Sequence, residues 1–179
     1  LMAFKNGDID WCDVSADMLT QYSNDPDVKD CITLYNTLGV HFVNLNLQSD
    51  NLKDVKVREA LSLAIDRQAL IDNTLSGAGE PAGCWLAPAT PGHDDSAKLD
   101  YDPEKAKQLL AEAGVSNLTL DAKIRKGQYE KYMTVIQSYW AEIGVTLKLT
   151  VEDTGVWQSD WADGNLKVTA LGWFPLYAD

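Results

Sequence analysis

The last third of the chain alternates between two apolar periods, and this alternation constrains the fold more than any other feature. Apolar residues recur at every second position in some segments and at every third or fourth position between them, as in strands and helices. The order is strand 118–125, helix 129–143, strand 145–151, helix 156–162 and strand 166–173. Short links between such elements favour neighbouring strands joined by right-handed crossovers. We therefore predict an α/β fold with a largely parallel or mixed sheet flanked by helices.

The middle of the chain contains helix signals on either side of a long loop. Residues 54–66 form the clearest helix, because Asp54 can cap it and its apolar residues fall on one face. A second helix at 68–75 stops before a glycine, and the next helix is expected to open with Asp102 as its cap and a proline in its first turn. Between them, residues 77–97 hold three prolines and four glycines, which predicts a long ordered loop within the domain.

The beginning of the chain is mixed and mostly extended. Its pattern predicts a short strand at 8–11 and a helix over 15–22. At 43–47, apolar residues alternate with asparagines, which is the period of a half-buried strand. These elements precede the clearer helices.

Composition fits one globular domain and argues against two classes of partner. The 179 residues are 45% hydrophobic and long enough to bury a core, so residues 1–179 are interpreted as a single α/β lobe. A net charge of −12 repels phosphate backbones and anionic headgroups, which argues against nucleic acid and membrane surfaces. No stretch approaches the roughly 20 apolar residues of a transmembrane helix, so we expect no direct membrane insertion. Both ends resemble cuts within a longer protein.

The sequence carries none of the common catalytic or metal-binding motifs. His41 begins a predicted strand and His93 lies in the long loop, where structural or solvated roles fit better than catalysis. Cys12, Cys31 and Cys84 form no CxxC pair, which is poor material for a zinc site. Cys12 and Cys31 form either a disulfide or two isolated thiols. We predict a binding protein that is not an enzyme and uses no metal or cofactor.

Aromatic residues in loops and at the ends of elements are the candidate ligand contacts. Ligands of open parallel sheets collect at the carboxyl ends of strands, and the last predicted strand ends in GWFPLY at 172–177. Amphipathic rings at such positions line ligand clefts, although core packing is the alternative role for each of them. We predict that Trp173, Phe174 and Tyr177 at this strand end and Trp85 in the long loop bind the ligand. Trp157 is a further aromatic residue at the end of an element.

Seven short motifs, in order along nearly the whole chain, resemble one protein family. Residues 57–67 read VREALSLAIDR, residues 102–114 read DPEKAKQLLAEAG, and GEPA lies between them at 79–82. The others are NGDID at 6–10, LN at 45–46, EIGV at 142–145 and GW at 172–173. Together they resemble the peptide/nickel family (oligopeptide- and dipeptide-binding, family 5) of ABC-transporter extracellular solute-binding proteins.

The resemblance implies a two-lobe, class II periplasmic-binding-protein-like fold in which the ligand is enclosed between closing lobes. This chain would be most of the second lobe. The implied function is the substrate-binding component of an ABC importer, located outside the cytoplasm in a periplasm or on the cell surface as a lipoprotein. It would capture a small solute, in most cases an oligopeptide or dipeptide, and deliver it to the membrane permease.

One position departs from the pattern of this family. In its peptide binders, an aspartate three residues after the G-W tryptophan pairs with the ligand's α-amino group, and here that position is Leu176. A buried ammonium without a carboxylate is costly, so either another acid such as Asp179 substitutes or the ligand lacks a free amine. An oligosaccharide, opine or metal chelate bound by the same fold, and a ligand-sensing domain of a transcriptional regulator, are the alternatives.

Overall fold

The computed structural model describes residues 1–35, 37–96, 98–127 and 129–174, with the backbone alone for residues 16 and 17. In chain order its elements are α1 (Met2–Lys5), α2 (Ala16–Ser23), a 3₁₀ turn (Lys29–Cys31), β1 (Val40–Leu45), a 3₁₀ turn (Asp50–Leu52), α3 (Val55–Leu63), α4 (Arg67–Leu75), α5 (Pro103–Glu112), β2 (Thr119–Arg125), α6 (Tyr129–Glu142), β3 (Thr146–Glu152), α7 (Thr154–Ala162) and β4 (Val168–Trp173). The strand predicted at 8–11 does not form, because no described strand lies beside it to pair with. The other predicted elements form, with boundaries moved by a few residues.

The strands form a mixed sheet in the order β1-β4-β2-β3. β2 pairs in parallel with β3 and β4, whereas β1 pairs antiparallel with β4. The predicted fold class is therefore confirmed. The expectation that consecutive strands are neighbours is wrong for β3 and β4, since β4 returns to the far side of β2. Val168, Thr169 and Ala170 of β4 are all buried, and a strand buried on both faces belongs in the interior of a sheet.

The hydrophobic core lies on one face of this sheet. α6 packs directly on β2, β3 and β4, while α3 and α5 pack against each other and complete the same cluster. The apolar pattern of residues 129–143 predicts that Tyr132, Tyr139 and Trp140 share the core face of this helix. Trp140 is buried, whereas Tyr132 and Tyr139 pack half-buried against the cluster, and Tyr129 and Met133 are buried. The buried stripe of α6 is thus rotated relative to the predicted one, and Trp140 is its last residue.

Aspartate caps fix the starts of three helices. The carboxylate oxygen lies 2.8 Å from a backbone nitrogen for Asp54, 2.9 Å for Asp66 and 2.8 Å for Asp102. Such bonds satisfy amides that have no partner within the helix. The predicted caps at Asp54 and Asp102 are therefore confirmed. Ser15 occupies the cap position of α2, but its side chain makes no capping hydrogen bond.

The junction between α3 and α4 explains the charged residues that end the motif at 57–67. The Arg67 guanidinium donates to the Ser62 carbonyl at 3.2 Å and to the Ser62 hydroxyl at 2.7 Å, which satisfies the open end of α3. Asp66 caps the next helix. These side chains hold two helix ends together.

The loop between α4 and α5 contains turns but no helix or strand in its described residues. The amide of Thr90 donates to the Ala87 carbonyl at 2.8 Å, and the amide of His93 donates to the Thr90 carbonyl at 3.1 Å. Ala87 and Thr90 are buried beneath these turns. The loop therefore has its own packed centre, from which Trp85 reaches the sheet.

Candidate functional site

Three parallel strands end at one edge of the sheet, here called the carboxyl edge. β2 ends there at Arg125, β3 at Glu152 and β4 at Trp173. β1 runs in the opposite direction and begins at the same edge, with Val40 opposite Trp173. The carboxyl ends of strands in open α/β sheets are the usual place for a ligand.

The face of the sheet turned away from the core carries exposed aromatic side chains. Side chains alternate between faces along a strand, so Phe42 shares this second face with its partner Leu171 and with Trp173. α7 covers another part of the second face, where the Trp157 indole nitrogen donates to the buried Thr169 hydroxyl at 3.0 Å. Trp157 is thereby engaged in packing α7 on the sheet.

Trp85 reaches across the long loop and lies on Phe42. The ring centroids are 4.0 Å apart and the planes are inclined by 38°. Trp85 is 57% exposed and Trp173 is 59% exposed, although both are large apolar rings. Phe42, Trp85, Leu171 and Trp173 are called the aromatic face below. Rings held in this way bind planar or apolar groups of a ligand, since little side-chain entropy is lost on contact.

Phe174 lies on the opposite side from Trp173. Its ring contacts the His41 ring edge-on, with centroids 5.4 Å apart, and is 54% exposed at the carboxyl edge. The structure thus brings Trp85 and Trp173 to one face and separates Phe174 from them. Tyr177 lies outside the described residues. The alternation along β1 is the sequence signal that identifies Phe42, which the sequence analysis missed.

Charged side chains lie beside the aromatic face on the same side of the sheet. Lys123 pairs with Asp160 of α7, and its nitrogen lies 3.1 Å from Glu152. The Asp160 carboxylate, followed by Glu152, raises the pKa of Lys123 above its usual value. The Arg125 guanidinium lies 5.8 Å from the centre of the Trp157 ring. These contacts fix α7 on the sheet. Arg125 provides a positive charge at the carboxyl edge.

Steric packing requires the glycine of the G-W pair at the end of β4. A Cβ atom at Gly172 would come within 2.7 Å of His41 Nδ1 and 3.0 Å of the Tyr129 hydroxyl oxygen. The ring nitrogen and hydroxyl oxygen are 3.4 Å apart, so His41 and Tyr129 fill the space over this glycine. Any larger residue must displace one of them.

We expect Gly172→Ala to lower the free energy of unfolding by about 1–3 kcal/mol, because the added methyl displaces packed rings. Chemical denaturation of the wild type and the variant measures the difference. His41→Ala in the same chain is expected to relieve part of this cost, so the two changes should be non-additive. An unchanged midpoint for Gly172→Ala would contradict the packing described.

His41 and the cysteines have structural surroundings in different parts of the chain. Desolvation of the His41 ring, whose Nδ1 lies 3.4 Å from the Tyr129 hydroxyl oxygen, lowers the pKa of His41 below its usual value. Cys12, Cys31 and Cys84 are free thiols, so the structure has the isolated-thiol arrangement for Cys12 and Cys31. Cys84 differs from the other two because it contacts His93.

The described side chains offer groups for binding and packing. Within that part of the chain, no three His, Cys, Asp or Glu side chains are grouped to hold a metal ion. None of the helices in the described ranges has the length and apolar character needed to cross a membrane. The aromatic face and the neighbouring cation Arg125 are therefore the candidate binding surface.

Comparison with known proteins places the chain among binding proteins. Residues 1–179 match the middle part of the family described as bacterial extracellular solute-binding proteins, family 5. The chain is 34% identical over 144 residues to the dipeptide-binding protein of Escherichia coli K12, covering 76% of this chain and 27% of that protein. It is 31% identical over 163 residues to heme-binding protein A of Haemophilus influenzae, covering 87% of this chain and 29% of that protein.

A solved structure shows the same fold. The periplasmic binding protein DppA from Helicobacter pylori, in complex with the peptide STSA, superposes with a TM-score of 0.84 at 23% identity. The match covers 99% of this chain and 35% of that one. The chain thus spans about a third of the length of the proteins it resembles, or less.

Proposed function

Because the chain belongs to family 5 of the bacterial extracellular solute-binding proteins, we propose that it forms most of the second lobe of a longer substrate-binding protein. That protein serves an ABC importer: it captures a small solute outside the cytoplasm and delivers it to the membrane permease. The chain binds its ligand and catalyses no reaction. In this role residues 1–179 act as one lobe, and the loop at 77–97 supplies a ligand contact.

The aromatic face is the observation that carries this proposal. Trp85 and Trp173 are more than half exposed at the edge where ligands of such sheets bind, and Phe42 supports one of them from below. Isolated exposed rings are common on proteins, but a group of them on one sheet face at the carboxyl edge is typical of a binding surface. Phe174 lies at the same edge on the opposite side of the sheet, and Tyr177 follows it in sequence.

Ligand capture follows from the division of the site between two lobes. The aromatic face provides contacts from one side only, so a second lobe must cover the ligand from the other. A ligand that touches both lobes stabilises the closed arrangement by its differential affinity for that state. The isolated chain holds half of these contacts and is expected to bind weakly.

A short peptide is the proposed ligand, and its charged ends need partners. Arg125 lies at the carboxyl edge and suits a peptide carboxylate. Of the acids beside it, Asp160 and one oxygen of Glu152 already pair with Lys123, and the other Glu152 oxygen is buried, with no hydrogen-bond partner among the described residues. We therefore expect the partner of the ligand's ammonium to come from the facing lobe or from the segment after residue 174.

A calorimetric titration with four ligands tests this function. Full-length protein is titrated with alanyl-alanine, tetra-alanine, heme and a disaccharide. We expect a peptide to bind with a dissociation constant of about 1 μM or tighter, which corresponds to roughly −8 kcal/mol. Residues 1–179 alone are expected to bind the same peptide at least about 100-fold more weakly, a loss of about 2.7 kcal/mol.

Each outcome has a separate meaning. If heme or the disaccharide binds and neither peptide does, the proposed peptide ligand is wrong, whereas the proposed solute-binding function is supported. Equal affinity of the isolated chain and the full-length protein would contradict enclosure between lobes. The absence of binding to all four ligands would count against the importer function.

A further inference from the structure

The long loop between α4 and α5 contains a cluster of three polar side chains that the proposed ligand site does not use. The Cys84 sulfur lies 3.4 Å from His93 Nδ1, and His93 Nε2 lies 3.1 Å from an Asp95 carboxylate oxygen. The sulfur is half-buried. A thiol, an imidazole and a carboxylate joined in this order are the components that activate a cysteine as a nucleophile.

The His93 ring is surrounded by acceptors on both sides. Nδ1 lies 2.7 Å from the Leu86 carbonyl oxygen, and Nε2 faces the Asp95 carboxylate. Because both nitrogens can donate at once only in the protonated ring, this arrangement favours the imidazolium. The Leu86 carbonyl, followed by Asp95, raises the pKa of His93 above its usual value.

Donors and positive charge surround the Cys84 sulfur. The amide of Leu86 donates to it at 3.2 Å, and the His93 ring adds a positive charge. Hydrogen bonding from the Asp94 backbone is the largest of the effects that lower the pKa of Cys84. As a thiol, Cys84 donates to the Leu86 carbonyl at 3.1 Å, but His93 competes for the same oxygen.

The cluster is fixed to the backbone that carries the cysteine. The other oxygen of Asp95 accepts a hydrogen bond from the Gly83 amide at 3.1 Å. A Cβ atom at Gly83 would lie 2.5 Å from that oxygen and 2.7 Å from the Lys98 side chain. The close approach therefore needs a glycine directly before Cys84, and it orients the carboxylate toward His93.

We propose that Cys84 is a modification site whose thiolate reacts with small disulfides. The Cys84 sulfur attacks one sulfur of the reagent, a new S–S bond forms, and the reagent's own S–S bond breaks. The electron pair leaves on the second sulfur as a thiolate, which takes a proton from His93 or water. Cys84 is oxidised to a mixed disulfide and half of the reagent is reduced to a thiol. The adduct forms beside Trp85 of the aromatic face.

Residue-resolved mass spectrometry of full-length protein tests this site. Reduced protein is exposed at about pH 6 to limiting hydroxyethyl disulfide, and in parallel to iodoacetamide, with Cys31 of the same chain as the internal control. Cys31 is more exposed than Cys84, so accessibility alone predicts faster reaction at Cys31. We expect Cys84 to react about tenfold faster, because a lowered pKa raises the thiolate fraction about tenfold per unit.

The pH dependence follows from the same groups. As pH falls, an ordinary thiol loses its thiolate, whereas Cys84 keeps more of it while His93 stays protonated, so the ratio of the two rates should rise. The charged neighbours are Asp94, Asp95 and Lys98, all in this loop. A rate at Cys84 equal to or below that at Cys31 at about pH 6 would overturn the proposal.

Two variants distinguish activation of the Cys84 thiolate by His93 and Asp95 from simple solvent exposure of the sulfur. Asp95→Asn keeps an oxygen for the Gly83 amide but removes the charge that holds His93 protonated, and His93→Gln removes the imidazolium itself. We expect the rate ratio to fall about threefold or more in the first variant and to approach one in the second. Wild-type protein in guanidinium chloride gives the ratio of the unfolded chain. A wild-type ratio retained in both folded variants would also overturn the proposal.

Discussion

Trp140→Ala is expected to lower the free energy of unfolding by about 3–5 kcal/mol, which is the range for removing a large buried aromatic side chain. Trp140 is 1% exposed and is the largest of the fully buried side chains. It lies on α6 within the cluster that joins α3, α5 and the sheet. The cavity would therefore open where all the layers of the core meet.

The hydrogen bond of the indole nitrogen adds to the stability that Trp140→Ala removes. Trp140 Nε1 donates to the Leu61 carbonyl at 2.9 Å, deep in the core. Leu61 lies in the last turn of α3, where carbonyls have no partner within the helix. Trp140→Phe keeps most of the volume and leaves this carbonyl unpaired, so we expect a smaller loss of about 1–3 kcal/mol.

Chemical denaturation followed by circular dichroism measures both variants. Trp11→Ala is the matched control, since Trp11 is 74% exposed and its loss is expected to change stability by less than about 0.5 kcal/mol. Similar losses for Trp140→Ala and Trp11→Ala would contradict the position assigned to α6 in the core.

Local structure could be predicted from the sequence because its causes lie within a few residues. Asp54 and Asp102 cap helices through amides in the following turn, and such bonds depend on nothing distant. The alternation at 118–125 predicts β2 for the same reason, since one face of this strand is buried. The fold class followed from the order of these elements.

Pairings between distant segments could not be predicted in the same way. The position of β4 between β1 and β2 depends on which strand can be buried on both faces. The contact between Phe42 and Trp85 joins a strand to a loop without any periodic pattern. The opposite orientation of Trp173 and Phe174 follows from alternation along a strand, but which of the two shares a face with Phe42 depends on the distant pairing of β1 with β4.

The motifs that identify the family report on the fold more than on the ligand. Asp66 and Arg67 hold the ends of α3 and α4, and Gly172 makes room for His41. None of these side chains is a ligand contact in our proposal. Ligand identity therefore does not follow from these motifs, and the relatives themselves are named for different ligands, a dipeptide and heme.

Removal of either exposed tryptophan from the aromatic face is expected to weaken ligand binding about 10–100-fold in the full-length protein, a loss of about 1.4–2.7 kcal/mol. Trp85 and Trp173 expose large rings on one sheet face at the carboxyl edge. Each substitution therefore removes contact area between the protein and the ligand, but few contacts within the free protein. Because both are more than half exposed, the stability of the free protein should change by less than about 0.5 kcal/mol.

Tyr101→Ala is the matched control for these two variants. Tyr101 is also an exposed aromatic residue, but it contacts Tyr139 of α6 on the core side of the sheet. Its removal should leave ligand affinity unchanged. Weakened binding in Tyr101→Ala equal to that in Trp85→Ala would point to a general effect on the fold.

Calorimetric titration of full-length wild type, Trp85→Ala and Trp173→Ala with the peptide that the wild type binds tests the aromatic face as the binding surface. We expect both variants to unfold at the wild-type denaturant midpoint and to bind the peptide about 10–100-fold more weakly. Wild-type affinity in both variants would contradict the central claim that this face of the sheet binds the solute.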